Sequence, residues 1–130
     1  MNKFVADTMA VVLFLEKRKL PTRVKQIFAD VNKGNAEIYI PSMVLVEIAY
    51  LSEKKKIETS LQEANKMIDS NNSFLFLSMT IEIIKSTFQI TDIRELHDRL
   101  IAGSAKNIDI EIITNDPEII NSKFVKTVWN

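Results

Sequence analysis

Short, almost wholly apolar runs alternate along this chain with stretches of helical periodicity, and that alternation limits its fold more than any other feature. Five runs read as strands: Phe4-Val5-Ala6, Glu37-Ile38-Tyr39-Ile40, Phe74-Leu75-Phe76-Leu77, Ile110-Glu111-Ile112-Ile113-Thr114 and Val125-Lys126-Thr127-Val128-Trp129. Several lack polar alternation, as expected of strands covered on both faces. Between them Val24, Ile27, Phe28 and Val31 keep the i, i+3, i+4, i+7 spacing of a helix, with Thr22 expected as its cap. Ile57, Leu61, Ala64 and Ile68 form a second stripe. Ile93, Leu96, Leu100 and Ala105 form a third, opened by Asp92 and Glu95 in the manner of a capping box. Strands alternating with helices predict one α/β domain over residues 1–130, a parallel sheet with helices on both faces. In such a sheet the ligand site lies beyond the carboxyl ends of the strands.

Composition removes several alternatives. With 130 residues the chain has room for one core, and its 2 glycines and 3 prolines leave no flexible linker. There is no internal repeat. No apolar run reaches the roughly 18 residues that span a bilayer, so no membrane association is expected. The opening Met1-Asn2-Lys3-Phe4-Val5-Ala6-Asp7 meets an acid too soon to be read as a signal peptide. Zero cysteines exclude disulfides and thiolate metal sites, and a reducing cytoplasm is the expected compartment. The single histidine, His97, cannot build a histidine-rich zinc site, and it is read as structural rather than catalytic. A metal here would have to be held by oxygen, which favours Mg²⁺ or Mn²⁺. Lys plus Arg equals Asp plus Glu, 17 against 17, so any nucleic-acid surface requires segregated charge.

Four acids stand where a site is expected. Asp7 directly follows the first strand and Asp116 the fourth, within Thr114-Asn115-Asp116-Pro117. Each is also a good helix N-cap, Asp116 especially, with proline after it. Glu47 lies in Pro41-Ser42-Met43-Val44-Leu45-Val46-Glu47-Ile48-Ala49-Tyr50-Leu51, where its helical neighbours are Met43, Val44, Tyr50 and Leu51. A carboxylate among them needs either a route to solvent or a compensating cation. Asp98 sits in Leu96-His97-Asp98-Arg99-Leu100-Ile101-Ala102-Gly103-Ser104-Ala105. Ala102 and Ala105 on its side of the helix would let that face approach the sheet; the competing reading pairs Asp98 with Arg94 or Arg99. Two acids at neighbouring strand ends and two on flanking helices would repel one another unless a dication lay between them. No Ser-His-Asp or Cys-His arrangement competes.

At these residues the sequence resembles the PIN-domain family, and within it the VapC-like ribonuclease toxins. The resemblance rests on Phe4-Val5-Ala6-Asp7-Thr8, Pro41-Ser42 leading to Glu47, His97-Asp98-Arg99-Leu100-Ile101-Ala102, and Ile113-Thr114-Asn115-Asp116, and spans nearly the whole chain. It implies a five-stranded parallel sheet in the order 3-2-1-4-5 and a Mg²⁺ or Mn²⁺ site. Asp7, Glu47, Asp98 and Asp116 would be the acidic quartet, with Thr8 and Thr114 assisting through their hydroxyls. It further implies endonucleolytic cleavage of RNA, a homodimer, and silencing by a cognate antitoxin protein. Met9 departs from the small polar residue of many relatives. Lys17-Arg18-Lys19 with Arg23 and Lys25, and Lys54-Lys55-Lys56 past the Glu47 helix, are either RNA contacts or solvated faces. Arg94 and Arg99 are further candidates for phosphate contact.

Two other families with acidic pockets fit worse. A receiver domain needs an aspartate after the third strand, where Leu77-Ser78-Met79 stands. A haloacid-dehalogenase-like phosphatase needs one two residues past Asp7, where Met9 stands. The alternative left is a PIN scaffold that binds RNA or protein without catalysis.

Overall fold

The computed structural model describes residues 1–130. The elements in chain order are β1 (Asn2–Ala6), α1 (Thr8–Leu15), α2 (Thr22–Asn32), β2 (Ala36–Pro41), α3 (Ser42–Glu53), α4 (Leu61–Ser70), β3 (Phe74–Leu77), α5 (Ile81–Gln89), α6 (Leu96–Ile108), β4 (Glu111–Ile113), α7 (Pro117–Ile120) and β5 (Thr127–Val128). The five strands form one sheet in the order β3-β2-β1-β4-β5, and every neighbouring pair is parallel. This is the α/β architecture and strand order expected above.

The chain builds outward from β1 through β2 to β3, then returns to place β4 on the other side of β1. That reversal opens a crevice beyond the carboxyl ends of β1 and β4. Helices seal both faces. Val5, Ile38, Ile40, Ile112 and Ile113 are fully buried in the sheet, and Val11, Val12, Val24, Val44, Ile48 and Ala105 meet them from the helices. Phe14 stacks on Phe28 with ring centroids 4.2 Å apart, and Phe74 closes the group at 5.9 Å from Phe14.

Several local expectations change. Thr22 is the first residue of α2 rather than its cap; Pro21 holds that position and offers no side-chain acceptor. The stripe from Ile57 to Ile68 starts later, because Ser60 and Glu63 form a full capping box and Leu61 turns out to solvent. Asp92 does not cap α6. It accepts from the Ser122 hydroxyl at 2.7 Å and the Lys123 amide at 2.9 Å, bracing the loop before β5. Glu95 is the cap, accepting from the Asp98 amide at 2.8 Å, and Leu96 is exposed. The last two strands are shorter than the apolar runs that mark them.

Candidate active site

Register brings the first two acids together. Ala6 pairs with Ile113, so Asp7 and Thr114 leave neighbouring strands side by side. Asp7 divides its carboxylate between two tasks. Its Oδ1 accepts from the Ala10 amide at 2.9 Å and caps α1; its Oδ2 accepts from the Thr114 hydroxyl. The Thr114 oxygen in turn accepts from the Asp116 amide at 3.0 Å. Asp116 caps α7 through Oδ1, which accepts from the amides of Glu118 and Ile119 at 2.9 and 3.3 Å. For both aspartates the capping reading and the site reading hold together: one oxygen fixes the helix and the side chain still borders the crevice.

Glu47 enters from α3. The Thr8 hydroxyl donates to Glu47 Oε1 at 2.5 Å, and His97 Nδ1 lies 3.5 Å from Oε2 and 3.1 Å from Glu95 Oε1. His97 is therefore no core histidine; its ring is half exposed and bridges two acids at the rim. Asp98 enters from α6. Neither arginine pairs with it: the Arg99 guanidinium covers the Phe88 ring at 4.7 Å and donates to the Thr87 carbonyl at 3.2 Å, while Arg94 reaches Glu118 at 3.6 Å. The buried Ala102 and Ala105 seat α6 closely, as the small-residue spacing implied.

Asp7, Thr8, Glu47, Asp98 and Asp116 all border one cleft of about 130 Å³, whose lining includes no Lys or Arg. Burial pushes the Asp7 carboxyl up to about 6; the Thr114 and Ala10 hydrogen bonds oppose the rise, and the charges of Asp116 and Glu47 add to it. Burial also raises Asp98, to about 7, with Asp116, Glu95 and Glu47 adding repulsion. Glu95 is thus a member of this field that the pattern reading assigned only to capping. Its spacing of three residues before Asp98 was the available signal. No three acids stand close enough to form a finished coordination shell. The donor chemistry nonetheless suits a hard dication: every side-chain ligand is oxygen, and the cleft supplies no basic side chain to balance the charge.

The sign of the pH dependence follows. Both acids hold a proton more tightly in the fold than in the unfolded chain, where the ordinary value is 3.8. Their stabilisation is complete below that value and is lost as pH rises through about 6 for Asp7 and about 7 for Asp98. In EDTA the melting temperature should therefore be higher at about pH 5 than at about pH 8, and Mn²⁺ should narrow the gap. Thermal melts across that range decide it. A fold more stable at the alkaline end would mean that burial does not raise these two carboxyls.

Comparison with known proteins bears on the family and the fold. The PIN domain family model matches residues 4–124. A search of curated protein sequences gave no significant match. Among solved structures, VapBC2 from Rickettsia felis, crystallised with a DNA fragment from its promoter, is similar with a TM-score of 0.72 and 19% identity, over 98% of this chain and 99% of that one. DNA-bound VapBC from Salmonella typhimurium gives 0.70 and 18%, over 98% of each chain. A domain of a functionally unknown Methanocaldococcus jannaschii protein gives 0.59 and 19%, over 100% of this chain and 91% of that one. With the family model covering nearly its full length and the strand order in agreement, the chain belongs to the PIN domain family.

Proposed function

We propose that this protein is a metal-dependent endoribonuclease acting as the toxin of a toxin–antitoxin pair, with Asp7, Glu47, Asp98 and Asp116 as its metal-holding acids. One observation carries the reading. Four carboxylates, two of them with raised pKa, border a single small cleft that contains no balancing Lys or Arg. Such a cluster is unfavourable at neutral pH until a cation enters it. A bound Mg²⁺ or Mn²⁺ would lower the pKa of its water and offset charge on a phosphate during in-line displacement. The chain's own contribution is orientation. Thr114 holds Asp7 through Oδ2, and Thr8 holds Glu47 through Oε1, so each hydroxyl keeps a ligand turned toward the cleft. Outer hydrogen bonds of this kind are worth about tenfold to a hundredfold in metal affinity or activity.

The toxin role draws on VapBC complexes being among the similar structures. It also draws on apolar surface left uncovered: Ile81 and Phe88 of α5 are 59% and 55% exposed, and Phe76 at the edge of the sheet 51%. Exposed apolar residues of this kind suit a protein partner, an antitoxin or a second copy in a homodimer. The test incubates purified protein with tRNA, rRNA and mRNA transcripts in Mn²⁺, Mg²⁺ or EDTA. Cleavage should require the metal and stop when the product of a small adjoining reading frame is added. Cleavage undiminished in EDTA would overturn the metal site; RNA bound but never cut would favour the scaffold.

A further inference from the structure

We propose that Lys17 and Lys55, with Arg18 and Lys56 beside them, grip the phosphate backbone of the RNA on a surface where α1 and α3 end together. This rests on the nuclease reading above and adds a second contact region to it.

Two sets of hydrogen bonds tie α1 to α3 and to the loop that follows it. Near the cleft the Thr8 hydroxyl of α1 donates to Glu47 of α3 at 2.5 Å. At the far end Glu16, the residue closing α1, accepts on Oε2 from the Thr59 hydroxyl at 2.7 Å, the Thr59 amide at 3.0 Å and the Glu58 amide at 3.2 Å, just past the end of α3. Eight residues separate Thr8 from Glu16, and eight separate Glu47 from Lys55. At about 1.5 Å per helical residue, the basic surface lies about 12 Å beyond the acids. That distance is roughly two to four nucleotides of a single strand.

Two lysine runs far apart in sequence become one surface there. Arg18 lines a cleft of about 630 Å³ with Lys55 and Lys56, and also one of about 710 Å³ with Lys17, Lys19 and Lys25. None of these five lysines takes part in an ion pair.

The backbone supplies an independent argument. Lys17 and Lys55 have φ of +55° and +57°, the left-handed region in which glycine is favoured. They close their helices in the same way. The Lys17 and Arg18 amides donate to Phe14 and Leu13, and the Lys55 and Lys56 amides donate to Ser52 and Leu51. Asp109 ends α6 at +55°, but aspartate tolerates this conformation better than lysine does. Two lysines in strained positions on one surface mark a preference for charge over backbone ease. The competing explanation is that a cation at a helix C-terminus offsets the helix dipole. It predicts that replacing the lysines leaves RNA binding unchanged.

The occupant follows from continuity and chemistry. The surface lies where the same two helices end, past the residues that border the acidic cleft. The cleft around Lys55 and Lys56 has Ile57 as its one apolar lining residue, so it offers peptide side chains little to bury; Glu16 and Glu58 also line it, Glu16 being engaged by Thr59 and by Arg18 at 3.8 Å. A phosphate backbone needs only the charge.

Glycine is the diagnostic replacement, because it removes the cation and relieves the strain together. Binding of a fluorescent 20-nucleotide single-stranded RNA is followed by anisotropy in EDTA over a salt series, for wild type, the Lys17→Gly/Lys55→Gly variant and Asp98→Asn. The double glycine variant should melt no lower than wild type. Its log–log salt slope should fall by about 1.4, at about 0.7 per phosphate contact on a single strand, with affinity about twentyfold weaker at 0.1 M salt. Asp98→Asn should bind at least as tightly as wild type. An unchanged slope and affinity in the glycine variant overturns the proposal. If Asp98→Asn cuts RNA as fast as wild type in Mn²⁺, the nuclease reading of the cleft fails, while the lysine surface is judged on binding.

Discussion

Asp98→Asn should slow RNA cleavage at saturating Mn²⁺ by about a hundredfold to a thousandfold while leaving the metal-free fold at least as stable as wild type at neutral pH. The two effects have opposite signs for one reason. Asp98 is half-buried, and burial together with Asp116, Glu95 and Glu47 raises its carboxyl to about 7. Without a cation its charge is a liability, and asparagine removes the charge while nearly keeping the shape. With a cation that charge would become a ligand. A metal site contributes several kcal/mol of charge stabilisation in the transition state, and each 1.4 kcal/mol is a factor of about ten in rate. Asp98 sits in the first turn of α6, outside the buried core, so the substitution disturbs no core packing. Thr114→Val should fall between the extremes, because it releases Asp7 Oδ2 without removing a carboxylate. His97→Ala should keep much of the activity. Single-turnover rates with matched melting curves are the measurement; an Asp98→Asn protein that cuts at the wild-type rate sinks the assignment.

Gly103→Ala should destabilise the protein by about 3 kcal/mol, a change of over a hundredfold in the folding equilibrium. The direction opposes helix propensity, which favours Ala over Gly inside a helix by about 1 kcal/mol. Packing decides the outcome. A Cβ at Gly103 would lie 2.0 Å from Thr87 Oγ1 and 2.6 Å from Thr87 Cα. The hydroxyl cannot simply turn away, since Thr87 is fully buried and donates to the Ile83 carbonyl at 2.7 Å. The backbone of α5 must move instead. Because α6 also carries Asp98, whatever protein folds should cut RNA more slowly as well. Gly34→Ala is the matched control: no atom lies within 4 Å of its added Cβ, and only the φ of +77° resists. It should cost about 1 kcal/mol. Urea denaturation of both variants measures the difference. Equal stability of Gly103→Ala and wild type would mean that α5 and α6 do not pack this closely.

Much of this protein is written in local pattern. Apolar runs such as Phe4-Val5-Ala6 become strands because their side chains are buried on both faces, and alternation with helices then dictates a parallel sheet. Asp7 and Asp116 were legible because each directly follows a strand of that sheet, and Glu47 because charge is conspicuous among Val44, Ile48 and Leu51. Some elements hid from pattern. Helix α1, Thr-Met-Ala-Val-Val-Leu-Phe-Leu, is apolar all round and has no stripe to read. The Asp92-to-Glu95 spacing suggested a cap that the chain does not use, because Ser122 and Lys123 claim Asp92 from 30 and 31 residues away.

The sequence alone determined which groups are available: hard oxygen ligands, no thiol, one histidine and two lysine runs. Spacing along the chain governs only contacts within a turn or two of helix, or across one strand. Tertiary structure decided what those groups meet. Thr114 reaches Asp7 across 107 residues, Thr8 reaches Glu47 across 39, and Thr59 reaches Glu16 across 43. It turned His97 to the rim of the acidic cleft, engaged Arg99 with Phe88, and merged the two lysine runs at Arg18. Such pairings depend on strand register and helix packing, which the whole chain sets at once and no local window contains.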